Sequence, residues 1–322
     1  SNLVNGTYWG EITVSSASAG ISSQTITVTL NVSGGEHLIV QSPGGAEILW
    51  QGNRHNITWM TDDWVTGDVN IELYKEGVPD STIVSGTAYD GLYQWYIPEG
   101  QAIGTDYRIR ITSVDGPSIN GESLSDFAIA ALPALTGIPY TESFEVGLGA
   151  WTQAGDDDFD WTRDSDGTPS SGTGPSSAQD GSYYIYTESS SLNYPSKSAR
   201  LENAFDLRNA AAPILSFYYH MYGATMGSLA VRASIDQTHW TTLFSQTGNQ
   251  GDAWQAASAD LSQFAGQVVL IRIVGITGSS FASDMALDAI NIYESSKTLT
   301  CDTRTFTESS ADDGAIVNAI TI

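Results

Sequence analysis

The sequence predicts an all-β chain of tandem β-sandwiches with partial sandwich segments at both ends. Segments of period-two alternation, rich in Val, Ile, Thr, Tyr and Trp, run through it and are punctuated by Gly, Asn-Gly and Asp-Gly. Its 322 residues exceed a usual single domain and suggest two to three units of roughly 100 to 150 residues each. No apolar run is long enough to span a membrane.

Residues 1–32 hold YWGEITVSS and QTITVTLNV, two strands joined by a small-residue turn. They resemble the last hairpin of a BACON-type or immunoglobulin-like sandwich, a partial unit, because two strands cannot bury a core alone. Residues 36–130 follow the Ser33-Gly34-Gly35 break and contain HLIVQSPGGAEILW, IELYKEG, GLYQWYIP, DYRIRITS and SDFAIA. This succession resembles the Ig-like module of the Ser/Thr-rich cell-wall and anchored-protein family. Its opening loop is altered, with Ser42-Pro43-Gly44-Gly45-Ala46-Glu47 where members usually have Ser-Pro-Asn-Gly-Gly-Glu. Trp50 and Trp59 alternate with polar residues, so they are expected in the core, with sugar stacking as the alternative. Residues 131–139, ALPALTGIP, read as a short Pro-containing linker that restricts the angle between its neighbours.

Residues 140–294 open with SFEVGLGAWTQAGDDDFDWTR and close with SFASDMALDAINIY. In between come GTGPSSAQDGSYYIYTESS, SARLEN, PILSFYYHMYGATMGSLAVRAS, Trp254 and VVLIRIVGITG. Order and spacing together resemble the MAM family of extracellular adhesion domains. That resemblance implies a jelly-roll sandwich, no enzymatic activity, and an opening Phe-Glu on a strand beside the closing Ala-Leu-Asp-x-Ile. Animal members have paired cysteines that this stretch lacks, so it resembles a disulfide-free, bacterial-looking version. Residues 297–322 resemble the first strands of a further adhesin-like sandwich. Both partial ends are expected to pair with strands of other chains or of another copy.

Charge narrows the partners. Twelve Lys and Arg against thirty-seven Asp and Glu give a net charge of −25, and no basic patch exists to neutralise phosphates, so nucleic acid is not expected. The single cysteine, Cys301, excludes an internal disulfide and reads as a free thiol. Asn-x-Ser/Thr triplets at 5, 31 and 56 fit the glycosylation pattern but arise readily in such a composition.

Catalysis finds no support. The histidines His37, His55, His220 and His239 are scattered, with no His-Glu-x-x-His, no Gly-x-Ser-x-Gly and no Cys–His pairing. The acidic cluster Asp156, Asp157, Asp158 and Asp160, followed by Asp164 and Asp166-Gly167, fails the EF-hand register, because Thr162 and Thr173 stand where the first Asp and the closing Glu belong. The MAM resemblance suggests another site, with Glu145 and Asp288 on adjacent strands sharing a structural Ca2+ and Asp158 or Asp180 as further ligands. The plain alternative is that each carboxylate accepts backbone N–H bonds. Tyr183, Tyr184, Tyr186, Tyr218, Tyr219 and Tyr222 fall on both strand faces, leaving some at the surface for protein contacts or cell-surface glycans. The leading expectation is a non-catalytic adhesion or structural segment of a large multidomain bacterial protein, extracellular or on the cell surface. The alternatives are a filament subunit assembled by strand pairing and the accessory binding modules of a secreted hydrolase.

Overall fold

The computed structural model describes residues 6–14, 24–32, 38–60 and 67–295. The strands expected at 297–322, and Cys301, lie outside the described residues.

Strands β1 (Gly6–Val14) and β2 (Gln24–Val32) pair antiparallel as a separate two-stranded sheet. The hairpin therefore has no second layer among the described residues, and Trp9, Ile12, Ile26 and Val28 are exposed.

The N-terminal unit contains β3 (Ile39–Ser42), β4 (Ile48–Trp50), β5 (Arg54–Met60), β6 (Asp68–Lys75), β7 (Val78–Ala88), β8 (Leu92–Tyr96), β9 (Gly104–Ser113), β10 (Asn120–Glu122) and β11 (Phe127–Ala130). One sheet runs β3-β5-β8; the other runs β4-β11-β9-β6-β7, with β10 beside β9. The second sheet is mixed, because β11 pairs parallel with β4. Strict alternation supplies the core. In β9 the residues Tyr107, Ile109 and Ile111 point inward between polar neighbours, and they meet Ile57, Trp59 and Trp95 from the facing sheet. Trp50 and Trp59 are only 3% and 2% exposed, so both belong to the interior and neither offers a stacking platform. The loop at 42–47 is stapled by Glu47, whose carboxylate accepts the Gly44 and Gly45 N–H groups at 2.8 and 2.6 Å.

The linker is itself stitched down. Thr136 forms a parallel bridge with Phe205, donates its N–H to Ala204 O and accepts from Asp206 N. Beyond it come β12 (Tyr140–Glu142), β13 (Thr152–Gln153), β14 (Thr162–Asp164), β15 (Tyr184–Tyr186), β16 (Ser198–Asp206), β17 (Pro213–Met221), β18 (Ser228–Ser234), β19 (Thr241–Thr247), β20 (Gln255–Asp260), β21 (Val268–Ile276) and β22 (Met285–Glu294). One sheet runs β14-β15-β22-β17-β20 with β12 beside β22; the other runs β13-β16-β21-β18-β19. Ile185, Leu201, Phe217, Val231, Ile271, Ile273, Leu287 and Ile290 fill the space between them.

The units meet at the end of the second sandwich where β16 stops and β21 starts. Asn53 uses both faces of its amide there, donating to Val268 O at 3.0 Å and accepting from Val268 N at 2.9 Å. Ile48 N donates to Asp236 O, and the Thr238 hydroxyl donates to Ala46 O, each at 3.0 Å.

Candidate functional site

Chain order places the opening residues beside the closing strand, with one correction to the sequence reading. β12 pairs with β22 through Tyr140↔Ile292 and Glu142↔Ile290, but Phe144 and Glu145 lie in the turn after β12. Phe144 takes a left-handed conformation at φ 60° and is fully buried. Its N–H donates to the Glu142 carboxylate at 2.7 Å, and the Arg163 guanidinium donates to its carbonyl and to Glu145 O.

That turn aims Glu145 at the loop preceding β15. Its Oε1 accepts the N–H groups of Ser182 and Tyr183, both at 2.8 Å, and these bonds hold its carboxyl below the usual carboxylate range. Gly181 allows the close approach, at φ 65°, since a Cβ there would come within 2.4 Å of Glu145 Oε1. Asp288 grips the same loop from the sheet. Its Oδ2 accepts from Gln179 N and Asp180 N, both at 2.9 Å, and its Oδ1 from Ala289 N at 2.7 Å. Burial nevertheless pushes Asp288 up to about 6, against the pull of those N–H donors.

The loop spanning 165–183 thus lies across the outer face of the first sheet, and it changes what the tyrosines can do. Tyr184 and Tyr186 share one side, as the alternation predicts, yet they are buried with Ala286 beneath the loop rather than left at the surface. The Tyr184 hydroxyl donates to Asp166 O, and Trp254 Nε1 donates to Ser177 O. His220 lies in β17 beside them, 3.3 Å from the Asp252 carboxylate, and burial pushes its pKa down.

The four expected metal ligands do not form one site. Glu145, Asp180 and Asp288 converge on a single loop, but Asp180 contributes a backbone N–H and its side chain is exposed. Asp158 lies in the connection between β13 and β14, where it accepts from Ser198 N at the start of β16 at 2.8 Å and pairs with Lys197 Nζ at 2.9 Å. A Ca2+ ion needs six to eight oxygens, whereas these carboxylates face N–H donors. Among the described residues no group of three or more His, Cys, Asp or Glu comes together to hold a metal. The residues present do not fit a calcium ion.

Sequence reasoning missed Asp284, fully buried, whose Oδ1 accepts from the N–H and hydroxyl of Ser189 at 2.9 and 2.5 Å. Burial raises its pKa against those donors. Asp284 ties the loop at 189–197 to the loop at 277–283, and further bonds lock the pair. Ser189 Oγ donates to Phe281 O, the Thr277 hydroxyl to Asn193 O, and Ser196 N to Gly278 O. These loops precede β16 and follow β21, so they lie a full strand length, roughly 25–30 Å, from the joint with the N-terminal unit. Residues 189–196 and 277–283 contain no charged side chain. Leu192 is 85% exposed and Phe281 48% exposed. Leu192 and Ser196 adopt left-handed backbone, at φ 84° and 54°. The usable signal in the sequence is two uncharged Ser-rich stretches, each with one bulky apolar residue, in so acidic a chain.

The model of the MAM domain, meprin/A5/mu, matches residues 143–301. The chain contains a MAM domain. MAM domain-containing glycosylphosphatidylinositol anchor protein 2 of Mus musculus is 32% identical over 180 residues, covering 49% of this chain and 19% of that protein. Neuropilin-1 of Xenopus laevis is 32% identical over 115 residues, covering 34% of this chain and 12% of that protein. The chain thus spans about a fifth or less of the length of these curated relatives. Among solved structures, the K1 cleaved adhesin domain of Lys-gingipain from Porphyromonas gingivalis W83 is similar at 22% identity and a TM-score of 0.37, covering 49% of this chain and 99% of that one. TmCBM61, solved with β-1,4-galactotriose, is similar at 17% identity and a TM-score of 0.33, covering 48% of this chain and 91% of that one.

Proposed function

We propose that the chain is a non-catalytic binding or adhesion segment of an extracellular or cell-surface protein, and that its MAM unit engages a partner through the uncharged loop tip. The relatives support the location, since those with the longest matches are named as glycosylphosphatidylinositol anchor proteins. The tip carries the reading. It faces away from the N-terminal unit, its backbone is tied by cross-loop hydrogen bonds, and it holds Leu192 and Phe281 in solvent. Apolar side chains on rigid Ser-, Asn- and Tyr-containing loops suit protein recognition, because little entropy is lost on contact. Left-handed backbone at Leu192 costs free energy that the surrounding bonds must hold in place, as is common where a loop is shaped for a ligand. Beads coated with the whole chain are expected to adhere to cells of the source tissue or culture. Leu192→Ser with Phe281→Ser is expected to lower adhesion roughly tenfold without moving the melting temperature, and full adhesion by that variant would reject the tip.

A second reading rests on the hairpin. Trp9, Ile12, Ile26 and Val28 are exposed on a two-stranded sheet, and such a sheet is completed by strands from elsewhere, including another copy. Head-to-tail pairing of this kind propagates filaments. Sedimentation across a wide concentration range tests it, and a strictly monomeric chain would refute it.

A further inference from the structure

On the N-terminal unit, β7 and β8 are the outer edges of opposite sheets. Between them runs an open groove of about 350 Å3, lined by Ser81, Thr82, Ile83, Tyr93, Tyr96 and Gln101 among others. That is within the size range of small-ligand sites, roughly 300–1,000 Å3. Tyr96 is 49% exposed, on the face of β8 opposite the buried Trp95, so much of its ring is open to a ligand. Gln101 is held in place. Its side-chain amide donates to the Asp80 carboxylate at 3.0 Å and to the Tyr107 hydroxyl at 3.3 Å, while its main-chain carbonyl accepts from Gln51.

The walls decide what fits. An extended peptide adding to the β7 edge needs a regular ladder, but β7 departs from regular register against β6 at several points and includes Pro79. Such bends and a missing donor are what keep an edge from pairing. The groove instead offers a tyrosine ring, two hydroxyls and a fixed amide, and none of its lining residues is a cation. Sugar rings present one apolar face to an aromatic ring and a rim of hydroxyls to amides and alcohols. An anionic saccharide would meet the Asp80 carboxylate and a chain of net charge −25.

We propose that this groove binds a neutral oligosaccharide, with Tyr96 as the stacking platform and Ser81, Thr82 and Gln101 as hydrogen-bonding partners. The site is separate from the loop tip, so it stands or falls independently of the adhesion reading. Calorimetric titration of the whole chain with neutral linear gluco-, xylo-, manno- and galacto-oligosaccharides tests it, with oligogalacturonate and an uncharged hydrophilic peptide as competing probes. The expected result is saturable binding of at least one neutral oligosaccharide, weakened roughly tenfold by Tyr96→Ala, retained by Tyr96→Phe and blocked by Thr82→Arg. The tip variant Phe281→Ser is expected to bind like the parent. Absence of binding by every neutral oligosaccharide, a preference for oligogalacturonate or the peptide, or undiminished affinity in Tyr96→Ala and Thr82→Arg would overturn the site.

Discussion

The two sandwiches order their connections by different means. In the N-terminal unit the turns are mostly local, as between β6 and β7, where Glu76 and Gly77 both have positive φ, 50° and 74°. That pairing is the signature of a tight hairpin turn matched to strand twist. In the MAM unit long connections cross the surface, and carboxylates distant in sequence staple them. Glu145 and Asp288 hold 179–183, Asp284 holds Ser189, and Glu294 accepts from Ala211 and Ala212. A surplus of acidic residues thereby becomes structural, since a carboxylate can accept several backbone N–H bonds that would otherwise go unpaired.

The sharpest break of that contrast is Asp288→Ala. Three backbone N–H groups lose their acceptor in a partly buried place, and about 2 kcal/mol of MAM-unit stability is expected to go. Calorimetry with two resolved transitions reads it, and the transition of the N-terminal unit is expected to stay put. An equal fall in both, or in neither, would break the comparison.

Acid separates the units next. His55 is buried at the joint and its pKa is pushed down to about 4, chiefly by burial, with Asp236 opposing. As pH falls from 6.5 to 4 the unfolded chain takes up a proton that folded His55 refuses, so the N-terminal unit loses up to roughly 3 kcal/mol. Asp288 runs the other way. Its folded pKa of about 6 lies above the ordinary 3.8, so the folded MAM unit gains a proton first as pH falls through that window. It gains roughly 2 kcal/mol once solvent screening is allowed for. Buried His220 partly offsets this, because its lowered pKa has the sign of His55. Between pH 7 and 4.5 the N-terminal transition is expected to fall relative to that of the MAM unit. His55→Gln is expected to remove most of the difference, and parallel shifts would contradict the assignment.

Turn chemistry gives a smaller effect. Gly77 has open space around it, so Gly77→Ala meets no clash and costs only its left-handed backbone, about 1 kcal/mol, in the N-terminal unit alone. Smallest of all is the response to calcium. Because the MAM carboxylates accept N–H groups, excess chelator is expected to shift either midpoint by the equivalent of less than about 1 kcal/mol. A cation site saturated a hundredfold above its Kd would instead show about 2.7 kcal/mol.

Much of this was legible in advance, and unevenly so. Alternation in β9 and β17, and the inward Trp59, follow from a period that any half-buried strand must obey. The order of motifs between Glu145 and Asp288 was enough to identify the MAM unit. The stapling carboxylates were visible only as acidic residues among many, and their repulsion across adjacent strands suggested a cation. What they face instead is the backbone of a loop. No periodicity encodes that choice, because it depends on where residues 179–183 come to rest.

Sequence alone determined the all-β class, the inward faces of the strands and the MAM pattern, because each is written in local spacing. Tertiary structure decided that the 165–183 loop buries Tyr184 and Tyr186, that Asp158 bonds to the start of β16 instead of joining Asp288, and that Leu192 and Phe281 share one tip. Those outcomes join residues far apart in the chain, and contacts of that kind exist only once the sheets have packed.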